Sequence, residues 1–178
     1  MRILLVMSAF ALLMISCSEG EDLREPVVDL TTEWDNTTAV ITQFINTLQR
    51  AQQEMQNQFA EMAVPEELTL NEQSQTQVTE LRDNFQEELS SLTDLSGEIS
   101  GFIGAWQSKA EKLTDLNVGL ETGDLGSDSR STLEELQETV EQGRNELESW
   151  KGELEDIQIN TQDILEQFHT LIANLQGN

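Results

Sequence analysis

Val78, Phe85, Leu92, Ile99, Trp106, Leu113 and Leu120 stand seven residues apart, and no proline or run of turn residues interrupts them. A sheet cannot use this spacing, because strand side chains alternate with period two. A helix can: seven residues make almost two turns, and the small mismatch imposes a left-handed supercoil. Leu81, Leu95, Phe102 and Leu116 form a second seam beside the first, and Leu89, Ile103 and Ala110 widen the stripe. The spacing predicts one long helix over about 71–120.

Two further stretches carry the same signal. Trp34, Ile41, Leu48, Met55 and Met62 lie seven apart, with Leu30, Thr37, Phe44 and Ala51 between them. They predict a helix over about 31–63, closed by Val64-Pro65, since proline disfavours helix at the residue before it. Leu133, Val140, Leu147, Leu154, Thr161, Phe168 and Leu175 pair with Leu136, Gly143, Trp150, Ile157, Ile164 and Leu171. They predict a helix over about 130–176, with Leu165 and Ile172 on its flank. Thr69 with Glu72, and Ser131 with Glu134, have the spacing of capping boxes. The loop 121–128 is rich in glycine and punctuates the chain.

Short connections make successive helices antiparallel neighbours, and the widened stripes favour three helices around one core. The expected fold is all-α: an elongated up-down-up antiparallel three-helix coiled-coil bundle over 30–178. At 1.5 Å per residue the second and third helices would be about 70–75 Å long and the first about 50 Å. Folding the chain back about residues 67 and 124 sets Trp34 near residue 100 and Trp150 near residue 98. Trp34, Phe102, Trp106 and Trp150 are then expected in one aromatic region.

The charge balance excludes some functions. Against 34 acidic residues the chain has nine lysines and arginines, a formal net charge of −25. Nucleic acid needs cationic contacts to its phosphates, and anionic lipid attracts polybasic segments. Neither is an expected partner. Glu166 and the lone His169 have the Glu-x-x-His spacing of bundle metal sites, but both fall off the seams and no second copy exists. Glu121, Asp124 and Asp128 lack the alternating acids of an EF-hand loop. No nucleophile, phosphate-binding or zinc motif occurs. The expectation is a protein with no catalytic, cofactor or metal site. Gly97, Gly101 and Gly104 are expected on the outer face of the second helix. There they would leave a smooth strip on which another helix could dock.

The N-terminus reads differently. After Arg2 comes an uncharged, apolar run of about 13 residues, Ile3 to Ile15. A membrane-spanning helix needs roughly 20, whereas the hydrophobic region of an export signal has this length. The run ends in Ile15-Ser16-Cys17, and Cys17 is the only cysteine. This end resembles the lipobox of bacterial lipoproteins, with aliphatic Ile15 and small Ser16 before the cysteine. The resemblance covers residues 1–17. It implies cleavage of a signal peptide 1–16 and attachment of diacylglycerol and an N-acyl chain such as palmitate to Cys17. Several acyl chains hold a protein durably on a membrane, where one alone binds reversibly. Ser18 is not the aspartate that signals inner-membrane retention, so an outer-membrane location is expected. Residues 17–29 are expected to be the lipidated cysteine and a flexible acidic tether.

The leading functional expectation is a membrane-anchored, non-enzymatic envelope lipoprotein acting as a coiled-coil spacer, scaffold or partner-binding module. Its partner would be another envelope protein, and self-association stays open because heptads alone do not fix strand number. The alternative is a holdase-like bundle that opens to show its apolar face to lipid or an unfolded client.

Overall fold

A computed structural model describes residues 18–177, and the side chains of 22–177. The expected signal peptide 1–16 and Cys17 lie outside the described residues. Three helices account for nearly all of the described chain: α1 (Ser18–Glu61), α2 (Glu72–Thr122) and α3 (Ser129–Gln176). They form an all-α, up-down-up three-helix bundle. The chain divides into two compact units, and each helix contributes to both. Among the described residues the first unit comprises 18–40 and 102–145, the second 41–101 and 146–177.

In the first unit the core is Val27, Leu30 and Trp34 of α1, Trp106, Leu113 and Leu116 of α2, and Leu133, Leu136 and Val140 of α3. The residues stand three, four or seven apart along each helix, which keeps one stripe inward. Polar contacts lie at the edges of the seam. Asn117 Nδ2 donates to Thr31 Oγ1 (3.1 Å), and Trp106 Nε1 donates to Thr38 Oγ1 (2.9 Å). Arg144 meets Glu33 at 3.5 Å across α3 and α1.

α1 begins at Ser18, so 18–29 is not the flexible tether expected from its charges and Pro26. The helix runs through Pro26. A proline inside a helix costs about 3 kcal/mol, through a lost hydrogen bond and a clash with the preceding turn. Leu23 and Val27, however, continue the seam backwards from Leu30 and are 5% and 0% exposed. Burying two such side chains contributes about 1.5–3 kcal/mol each, enough to offset the proline.

The second unit buries Phe44, Leu48 and Met55 of α1, Phe85, Leu92 and Leu95 of α2, and Trp150, Leu154 and Ile157 of α3. Here α2 and α3 pair as the sequence predicts: Trp150 Nε1 donates to Glu98 Oε1 (2.8 Å), and Asn160 Nδ2 to Glu88 Oε1 (3.1 Å). The pairing of α1 with α2 differs. A fold-back about residue 67 would set Met62 beside Glu72, yet the Met62 carbonyl accepts from Arg82 and Phe59 packs on Phe85 at 5.6 Å. The connector 62–71 therefore continues past the end of α1 before α2 begins. Val64, Pro65, Leu68 and Leu70 are half-buried along it. Arg82 closes the exposed carbonyl end of α1 and lies 4.7 Å above the Phe59 ring, as a cation at a helix C-terminus should.

The caps also differ from expectation. α2 starts at Glu72, and Asn71, not Thr69, is its N-cap: the Ser74 amide donates to Asn71 Oδ1 at 2.8 Å. α3 starts at Ser129, and Ser131 donates its hydroxyl to the Asp128 carbonyl (2.8 Å) rather than capping the helix. α2 ends at Gly123, whose φ of +72° is the left-handed turn a glycine adopts without strain. The Asp124 amide then bonds back to the Gly119 carbonyl at 2.9 Å. Gly119 must be small, since a Cβ there would meet Leu125 Cδ2 at 3.1 Å and the Asp124 carbonyl oxygen at 3.2 Å.

Candidate functional site

The seams are less uniformly apolar than the ladder of large side chains suggests. On α2 the second seam passes from Leu81 through Glu88 to Leu95, and from Phe102 through Lys109 to Leu116. Glu88 and Lys109 are half-buried, and both reach α3. Lys109 and Lys112 converge on Glu135, Lys112 at 2.8 Å. The hydrogen bonds from Lys109 and then Lys112 hold the Glu135 carboxyl at a pKa of about 2, below its ordinary 4.5. The pair is open to solvent on one side and worth little to stability. Its chief effect is to favour one pairing of α2 with α3.

The aromatic residues fall into two settings. In the first unit Trp34 and Trp106 stack with centroids 3.9 Å apart, and Phe102 lies 5.7 Å from Trp106. Gly143 of α3 makes room for this stack: a Cβ there would meet Trp106 at 2.7 Å and Phe102 at 3.3 Å. In the second unit Trp150 stacks on Phe44 at 6.4 Å and is 1% exposed. Three of the four aromatics expected together thus share a stack, and Phe44, outside that expected four, is a ring partner of Trp150.

Gly97, Gly101 and Gly104 of α2 are exposed, and a Cβ on any of them would meet nothing within 4 Å. His169 is exposed, with its ring edge-on to Phe168 at 6.1 Å. Among the described residues no group of three or more His, Cys, Asp or Glu side chains could hold a metal ion. Nor, among them, is any helix long and apolar enough to cross a membrane.

A groove between α1 and α3 in the second unit was not anticipated. Seven residues after Ala51 the seam of α1 places Gln58, its second polar residue after the buried Thr37. Facing it, α3 places Thr161, 2% exposed, whose hydroxyl donates to the Ile157 carbonyl at 2.7 Å. Gln158, Gln162 and Glu54 complete a cavity of about 210 Å³ with Ala51 and Met55 in its wall. Stepping the Ala51 seam one heptad further would have revealed the polar break. The groove itself depends on which face of α3 lies opposite, and that needs the tertiary structure.

Comparison with known protein families, with curated proteins and with solved structures returns no match.

Proposed function

We propose that the chain is a lipid-anchored protein of a bacterial envelope that acts non-enzymatically, as a spacer, scaffold or partner-binding module. The observation that carries the reading is Ile15-Ser16-Cys17, a lone cysteine directly after a short apolar run. Long helices with buried seams and a polar exterior suit a part that holds distance or presents a surface. Client binding by an opened bundle is less favoured. Leu89, Ile103, Leu165 and Ile172, the residues that would supply free apolar surface, are half-buried.

The test is mass spectrometry of the protein extracted from its native membrane. The expected result is a chain beginning at Cys17 with its sulfur joined to a diacylglyceryl group through a thioether. Cys17→Ala should release the protein to the aqueous fraction. An unmodified Cys17 in membrane-extracted protein would remove the anchor from the proposal. Crosslinking in the same membrane should recover a protein neighbour. Recovery of lipid alone would count against the partner-binding role.

A further inference from the structure

The groove of the second unit combines features that a purely structural seam does not need. Gln58 occupies a heptad position filled by Phe44 and Ala51 in the two heptads before it. Gln58 is half-buried, and an apolar side chain there would serve the core better, because an amide drawn partly out of water must find partners to avoid a desolvation cost. The groove floor has the Thr161 hydroxyl, and its walls carry the amides of Gln58, Gln158 and Gln162 and the Glu54 carboxylate. Each amide carries a carbonyl acceptor beside its N–H donors and can turn either inward, and Glu54 adds a negative charge. The cation nearest in sequence, Arg50, lies one turn before Glu54 on α1 but bonds the Asn46 carbonyl (3.1 Å) and the Thr47 hydroxyl (3.3 Å). Beside the groove, Ile159 lies three residues before Gln162 on the same helix and is 52% exposed. Residues three apart are neighbours on a helix surface. An exposed apolar side chain thus flanks the polar cavity.

We propose that this groove receives an arginine side chain from a basic segment of a partner protein. A guanidinium offers five donors in a planar fork and no acceptor, which suits a groove whose amides can turn their carbonyl oxygens inward beside one carboxylate. Charge-assisted hydrogen bonds of this kind are roughly twice as strong as neutral ones. The acidic surface steers a cationic segment to the groove, the amides orient the side chain, and Ile159 packs against the apolar stem of the arginine. The inference gives a chemistry to the partner-binding reading and does not depend on the anchor at Cys17.

The test uses the full chain in a neutral detergent, with side-chain amide signals followed by NMR. Two short peptides are titrated at constant ionic strength. One carries a single arginine; the other carries citrulline, its neutral isostere, at the same position. The expected result is a saturable shift of the Gln58, Gln158 and Gln162 amide signals with the arginine peptide and none with the citrulline peptide. Gln58→Leu should abolish the shift while thermal unfolding shows a bundle at least as stable as the parent. Gln162→Leu serves as a second variant, on the exposed wall, should the first disturb packing. Equal shifts with both peptides would overturn the proposal. So would shifts spread evenly over the acidic surface, or shifts unchanged in both variants. None of these outcomes bears on acylation of Cys17, so the two readings fail separately.

Discussion

At the scale of single residues, the same substitution has opposite signs at different glycines. Gly97→Ala, Gly101→Ala and Gly104→Ala meet open space, so each should stabilise the protein by up to about 1 kcal/mol, the helix-propensity gap between glycine and alanine. Gly143→Ala should instead destabilise by about 1–3 kcal/mol, because the Trp34–Trp106 stack must move to admit the methyl group. Chemical denaturation of the four variants would show it, and a gain at Gly143 would mean that the stack is loose. Glu135 gives a pH-dependent counterpart. Its pKa lies at about 2 in the folded chain against an ordinary 4.5. A group with a lowered folded pKa adds stability above its unfolded value and loses that contribution as pH falls toward the folded one. The difference in melting temperature between the parent and Glu135→Gln should therefore hold steady above pH 4.5 and close between 4.5 and 2. Glu135 and its two lysines are all partly open to solvent, so the difference is small and salt should reduce it.

At the scale of elements, the start of α1 and the join between α1 and α2 are set by packing that local signals do not reveal. Pro26 and the acids around it read as a helix breaker and a tether. Leu23 and Val27 overrule them only because Leu120 and Leu133 complete the core around them. Pro26→Ala should raise stability, by at most about 3 kcal/mol, and should increase amide-exchange protection over 18–29. A tether without structure would show neither change. The caps teach a related lesson. Thr69 and Asn71 are both good N-caps, as are Asp128 and Ser131, and the choice within each pair follows from where the first buried residue of the helix must sit. For α2 that residue is Ser74, followed by Val78.

At the scale of the whole molecule, charge outweighs every other surface property. A chain with 34 acidic and nine basic side chains repels itself, and a compact state concentrates that repulsion. Raising ionic strength from about 0.01 M to 0.15 M shortens the screening length from about 30 Å to 8 Å. The melting temperature should rise over that interval. A constant value would indicate that the few ion pairs, such as Arg144–Glu33 and Lys151–Glu148, already balance the field locally. The same repulsion opposes association between copies, so any self-association through the helices should strengthen with salt; sedimentation at the two ionic strengths would read it directly.

Periodicity along the chain was sufficient for the class of fold, the number of helices, nearly all the buried positions and the pairing of α2 with α3. Each of these follows from one physical requirement, that apolar side chains seven apart share a face and must be covered. The short loop 123–128 leaves α3 little choice but to fold straight back. Other features needed the third dimension. The level of α1 against α2 depends on a ten-residue connector that could fold back at once or run on, and contacts of Met62 with Arg82 and Phe59 with Phe85 decide between them. The space that Gly143 leaves for Trp106, the clamp on Glu135 and the groove beside Gln58 each join residues far apart in the chain. Gly143 and Gln58 mark breaks in their seams, but the chemistry exists only once the helices are set side by side, because no single helix carries the partners.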